Sequence, residues 1–167
     1  DGDVDKFYDL LNHYCDVAIR QLKDRYLYQC LATKRKFPLL MSGMWLDSEK
    51  LTDSDLVADV LKHGTLSLGF LGLAECLIAL TGHHHGENVD SQELGLAIIT
   101  QMGERCKYWA DKWNMNISVI ATPAEGLSGK FVKKDRLDFG VIPNVTDRDY
   151  YTNSNHVPVW YKCSMSH

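Results

Sequence analysis

Two stretches of this sequence concentrate groups that could do chemistry. The first is Ala121-Thr-Pro-Ala-Glu-Gly-Leu-Ser-Gly-Lys130, which follows an apolar run rich in Ile and Val. It passes Pro123 and then offers two glycines and a serine, the composition of a turn from a strand into a helix. Backbone N–H groups at a helix amino end, with the Thr122 and Ser128 hydroxyls beside them, suit an anionic group such as phosphate. The candidate cradle is Thr122, Ala124, Glu125, Gly126, Leu127, Ser128 and Gly129. It is not a P-loop, because that motif needs glycine six positions before the lysine and Ala124 stands there. The competing reading is an ordinary strand-to-helix turn in which Thr122 caps the helix.

The second stretch is Asp147-Arg-Asp-Tyr-Tyr-Thr-Asn-Ser-Asn-His-Val-Pro-Val159. Asn153, Ser154 and His156 could hydrogen-bond a polyhydroxy ligand such as a sugar. The alternative is a self-satisfied Asx and Ser turn with a capping histidine. His83-His84-His85 invites a metal reading, but adjacent residues on a turn rarely converge on one ion. No clear carboxylate or cysteine partner stands at ligand spacing, so no metal site is expected. Glu75, between a strand and a helix, could serve as a general base or simply as a first-turn acid favoured by the helix dipole. No GxSxG nucleophile elbow is present.

The elements that must hold these groups follow from periodicity. Residues 5–32 read as one amphipathic helix with the stripe Phe7, Leu11, Tyr14, Ala18, Leu22, Tyr26 and Cys30. Lys34-Arg35-Lys36 reads as solvated punctuation past its end. Residues 37–46 should be extended or irregular. Thr52 with Asp55 resembles a capping box before a helix whose face is Leu56, Val57, Val60 and Leu61, stopped by Gly64. Residues 65–71 alternate apolar with small or polar, as a strand does. Ser67 and Gly69 lie on its small face, which something must approach closely. Gly72 turns the chain into a short helix to Leu80, closed by Gly82. Asp90 and Glu93 should cap the next helix, with the stripe Leu94, Ile98, Met102, Cys106, Trp109 and Trp113. A strand over 116–122, a helix over 126–134 and an irregular tail complete the series. Strands separated by capped helices predict an α/β arrangement with parallel strands.

Composition excludes several classes. The 167 residues carry 18 basic and 22 acidic side chains, a net charge of −4, and 45% are apolar. That suits one globular domain rather than a disordered tail. No apolar run approaches the ~20 residues of a membrane span, and a slightly acidic chain is a poor default binder of nucleic acid. Five widely spaced cysteines form no CxxC, so a disulfide framework is not expected. Soluble and cytoplasmic is the expectation. No internal repeat or linker divides residues 1–167, which read as a single piece of one domain. Two strands are few for such a fold, which implies that its remaining strands lie elsewhere, and the absence of an initial methionine suggests an excised segment.

Three runs, in one order, carry a resemblance. They are Gly64-Thr-Leu-Ser-Leu-Gly-Phe-Leu-Gly-Leu-Ala-Glu75, the run from Ala121 to Gly129, and Tyr150-Tyr-Thr-Asn-Ser-Asn-His-Val-Pro-Val159. With His84-His85-Gly86-Glu87 between them, the chain resembles an internal segment of the anaerobic (class III) ribonucleoside-triphosphate reductase catalytic subunit. The resemblance implies an α/β fold of few parallel strands with flanking helices, part of the ten-stranded barrel of glycyl-radical enzymes. It implies reduction of ribonucleoside triphosphates to deoxyribonucleotides by glycyl and thiyl radicals, with formate as reductant and ATP or dNTP effectors. It further implies a homodimer and a radical-SAM activase as partner. In that frame Thr122 to Gly129 would hold substrate phosphates. Ser67, Asn153, Ser154 and His156 would lie near the ribose or the reductant. The family's radical glycine and zinc-site motifs are not found here, and none of the five cysteines, Cys76 included, matches its radical cysteine. No catalytic residue is assigned, and the segment alone is expected to be inactive as a reductase. The alternative from another class is a non-catalytic nucleotide- or phosphate-binding module.

Overall fold

The computed structural model describes residues 3–121 and 123–162. Among the described residues, five helices and two strands run in the order α1 (Val4–Cys30), α2 (Ala58–Leu61), β1 (Leu66–Phe70), α3 (Leu73–Thr81), α4 (Val89–Trp113), β2 (Ile117–Ala121) and α5 (Glu125–Phe139), with short 3-10 turns at Lys34–Lys36 and Ser48–Lys50. β1 and β2 pair in parallel as an open two-stranded sheet, with α3 and α4 forming the crossover between them. The mixed α/β class expected from the alternation of elements is what is seen. Among the described residues, no helix is long and apolar enough to cross a membrane.

Two compact units divide the chain, one from residues 1–13, 69–104 and 119–167 and the other from 14–68 and 105–118. In the first unit, Leu73 and Leu77 of α3 and Ile98 of α4 are buried together, with Phe7, Leu11 and Phe70 packed against them. A second cluster joins Val132 of α5 to Val145 and Tyr151 of the tail, covered by Leu71 and Ile78. Each fully buried aliphatic side chain of this kind contributes roughly 1.5–3 kcal/mol. Gly72 enters α3 at φ 74°, a left-handed conformation that a side chain would strain, and the Gly82 amide closes the helix on the Ile78 carbonyl at 2.8 Å.

In the other unit Met41, Val57 and Val60 are buried with Phe37, Trp45, Leu51 and Leu61 around them. The Trp45 indole donates to the Val60 carbonyl at 2.7 Å, so the tryptophan's polar edge is satisfied inside an apolar cluster. Asp16 of α1 accepts from Arg105 at 2.5–3.0 Å and from the Trp109 indole at 2.7 Å. Burial alone would raise the Asp16 pKa, but the bonds from Arg105 and Trp109 outweigh it and hold the carboxyl below its ordinary value.

Several local expectations need correction. Tyr14, assigned to the α1 stripe, is 65% exposed, whereas Cys15 and Ile19 are buried. The step from Leu11 to the buried face is four residues, to Cys15, and not three, to Tyr14, while Leu22, Tyr26 and Cys30 of the expected stripe are half-buried. Lys34 is more than solvated punctuation, since its ammonium donates to the carbonyls of Ser48 at 3.0 Å and Leu51 at 2.8 Å. Asp55 accepts from the Thr52 amide at 2.7 Å as one arm of a capping box would. The helix beyond it nevertheless covers only 58–61, because Val57 N and Leu56 are used in pairing with residues 32 and 33. α4 begins earlier than Asp90: its cap is Asn88, whose Oδ1 accepts from the Ser91 amide at 2.8 Å. α5 runs past 134 to Phe139 and ends at Gly140, φ 80°.

Candidate functional site

The site is built where β2 ends, α5 begins and the tail returns, all within the first unit. Of the cradle residues, Thr122 lies outside the described residues. The Ala124 amide donates to Asn153 Oδ1 at 2.9 Å. The amides of Leu127 and Ser128 both bond the Ala124 carbonyl at 2.9 Å, and the Ser128 hydroxyl turns back to the Glu125 carbonyl at 2.7 Å. Ser128 is buried and Gly129 packs under the Asp149 carbonyl, where a Cβ would come within 3.3 Å. Glu125 and Gly126 are exposed at the first turn, where a helix supplies no acceptor of its own. The cradle is therefore narrower than its residue types imply: three of its amides and its serine hydroxyl already have protein acceptors.

The tail is brought directly onto this turn. Asn153 forms an antiparallel bridge with Leu71, just beyond β1, while its side chain holds Ala124. Ser154 is buried and takes φ 46°. His156 is exposed, and its amide closes a turn on the Asn153 carbonyl at 2.9 Å. Arg148, Asn153, His156 and Trp160 line a cavity of about 420 Å³. Ser67 sits half-buried on β1 in the other unit.

Glu75, which the sequence leaves between a general base and a first-turn acid, has the densest surroundings. Its side chain is 2% exposed and lies 2.8 Å from Arg148 Nη1. Both carboxylate oxygens accept from the Thr152 amide at 3.2 Å, and Oε2 accepts from the Thr152 hydroxyl at 2.8 Å. The Arg148 guanidinium in turn lies 4.7 Å from the Trp160 ring centre. Nearby, the Tyr151 hydroxyl donates to Asp135 at 2.8 Å. Burial first, and then that carboxylate, push the tyrosine pKa up. Burial, with Glu75 adding to it, pushes the Cys76 thiol up to about 11, the opposite of an activated nucleophile. Glu75, Cys76, Asp135 and Tyr151 are the polar side chains lining an otherwise apolar cavity of about 740 Å³ among α1, α3, α4 and α5.

The histidines form a structural knot. His84 is buried, accepts from the Gly86 amide at 3.1 Å and meets the Tyr161 ring edge-on at 4.5 Å. His83 approaches Glu87 at 3.0 Å, and His85 bonds the Asn155 carbonyl at 2.8 Å. Burial lowers the His84 pKa. Among the described residues, no three histidine, cysteine or acidic side chains are grouped so as to hold a metal ion. Sequence reasoning missed Arg148, Thr152 and Asp135, because each acts on a partner at least 16 residues away and leaves no local pattern.

Comparison with known proteins adds what geometry alone does not. The family model described as anaerobic ribonucleoside-triphosphate reductase matches residues 1–167. The chain is 34% identical over 164 residues to the anaerobic ribonucleoside-triphosphate reductase of Salmonella typhimurium, covering 95% of this chain and 22% of that protein. It is 33% identical to the protein of that name from Escherichia coli, over the same shares of both. To the Enterobacteria phage T4 protein it is 28% identical, with 92% of this chain and 24% of the relative covered. The chain thus spans about a quarter or less of the length of these relatives. A match that runs from the first residue to the last, and takes in the α5 turn, the Glu75 turn and the tail alike, leaves one assignment: the chain belongs to the anaerobic ribonucleoside-triphosphate reductase family.

Proposed function

We propose that this chain is a segment of the catalytic barrel of an anaerobic ribonucleoside-triphosphate reductase and supplies contacts to the substrate's phosphates and ribose. The observation that carries the reading is the 2.9 Å hydrogen bond from the Ala124 amide to Asn153 Oδ1. It joins the two stretches that the sequence singles out separately, the α5 turn and the polar tail. In this reading the exposed first-turn amides of Glu125 and Gly126 meet the phosphates, helped by the positive end of the α5 dipole. Thr122, Ala124, Leu127, Ser128 and Gly129 shape the turn that presents them. Asn153, Ser154 and His156 lie on the ribose or reductant side, and Ser67 faces the interior of the barrel.

The whole protein would reduce ribonucleoside triphosphates to deoxyribonucleotides as a homodimer, with formate as reductant, ATP and dNTPs as effectors and a radical-SAM activase as partner. The glycyl radical, when present, would generate the cysteine thiyl radical that supplies the hydrogen-atom chemistry at the ribose. What this segment does is bind and orient. The test is a titration of the chain with a ribonucleoside triphosphate followed by amide NMR. Shifts at Glu125, Gly126 and Asn153 with a weak, millimolar-range Kd are expected of an incomplete site. Saturable binding that leaves those amides unmoved would overturn the reading, and tight binding there would instead favour a self-sufficient phosphate-binding module.

A further inference from the structure

We propose that Glu75 is the positioning residue of the α5 amino end, holding the tail so that Asn153 keeps its bond to Ala124. The inference rests on the phosphate-site reading above and names the group that makes it possible. Three described donors converge on the carboxylate: the Thr152 amide, the Thr152 hydroxyl and Arg148 Nη1. A carboxylate offers about four lone-pair sites, so Glu75 is nearly filled by protein groups and 2% exposed. That is the environment of an anchor, not of a general base exchanging protons with substrate. Charge-assisted bonds of this kind are about twice as strong as neutral ones.

The anchor acts on a short, continuous path. Thr152 is gripped from both sides, by Glu75 at its amide and hydroxyl and by the Gly72 amide at its carbonyl, 2.7 Å away. The next residue, Asn153, pairs with Leu71 and reaches Ala124. A shift at Thr152 therefore moves the Asn153 amide group off the α5 turn. Gly72 is itself confined, since a Cβ there would come within 3.4 Å of the Tyr151 ring and 3.8 Å of Glu75 Oε2.

The test compares E75Q, N153A and the double variant of the whole chain, reading hydrogen exchange at Ala124 and binding of inorganic tripolyphosphate. E75Q keeps the size of the side chain and removes the charge opposite Arg148. Each single variant should speed Ala124 exchange roughly three- to tenfold, the loss of about one hydrogen bond, and raise the tripolyphosphate Kd by a similar factor. The double variant should add nothing further, because both changes break one path. Amides in the other unit, such as Ile19 and Trp109, should keep their rates. Unchanged exchange at Ala124 in E75Q, or additive effects in the double variant, overturns the proposal. Absence of tripolyphosphate binding to the unsubstituted chain overturns the phosphate reading instead, while the exchange rates still decide the role of Glu75. If E75Q loses its near-ultraviolet CD signal, T152V, which removes only the hydroxyl donor, carries the same expectations.

Discussion

Glu75 and Arg148 stand 73 residues apart in sequence and 2.8 Å apart in the fold, with side chains 2% and 11% exposed. Breaking a buried pair by removing one partner leaves the other charge uncompensated, at a cost of about 3–5 kcal/mol. Arg148→Met should therefore destabilise the chain by that order in urea unfolding. The double change Arg148→Met with Glu75→Gln should recover part of the loss, since no lone charge then remains. A cost for the single change under about 1 kcal/mol, the range of exposed pairs, would mean that water reaches Glu75.

Acid unfolding should report on Asp16. Burial opposes its charge, but Arg105 and Trp109 hold the folded-state carboxyl below its ordinary value of 3.8. The folded form keeps the charge to lower pH than the unfolded form. The stabilisation is then complete above that ordinary value and drains away as pH falls through the lowered folded pKa. Asp16→Asn should be less stable at neutral pH and should show a flatter acid limb below the ordinary value of 3.8. Equal slopes in both proteins would show that other carboxyls govern the transition.

Thiol labelling should single out the cysteines whose thiols are pushed up, Cys76 among them although it is half-buried like Cys30. The Cys76 and Cys106 thiols are each pushed up to about 11, chiefly by burial, and burial also raises Cys15. At pH 8 only about one thiol in a thousand with a pKa near 11 is thiolate. Iodoacetamide should accordingly modify Cys30, at the half-buried end of α1, well before these three, as followed by peptide mass mapping. Early labelling of Cys76 would mean that the α3 end of the large cavity opens readily.

Gly86→Ala tests the histidine knot. A Cβ at this position would lie 2.7 Å from Val157 Cγ1 and 3.2 Å from His84 Cε1. Val157 is β-branched and stiff at χ1, so either the tail or the buried ring must move. A loss of about 1–3 kcal/mol is expected from such overpacking, measured by thermal unfolding, with the His84 ring resonances shifted in NMR. An unchanged melting temperature would show that the tail yields freely there.

Periodicity and capping residues determined most of the local structure. The α4 stripe Ile98, Met102, Cys106 and Trp109 is buried as its spacing requires, and Gly72 and Gly82 bracket α3 because only their left-handed φ turns the chain at both ends. These features depend on neighbours within a turn or two, which a sequence displays directly. The polar stretches at 121–130 and 147–159 were legible as stretches for the same reason. Their union was not: the bond from Ala124 to Asn153 spans 29 residues and the Glu75–Arg148 pair 73. Which donor finds which acceptor across such separations is decided when the elements pack, because burial then penalises every polar group left without a partner. Tertiary structure alone made Glu75 an anchor and tied the Ala124 amide to Asn153, whereas the Leu127 and Ser128 amides are taken up locally by the Ala124 carbonyl and Glu125 and Gly126 stay at the open turn.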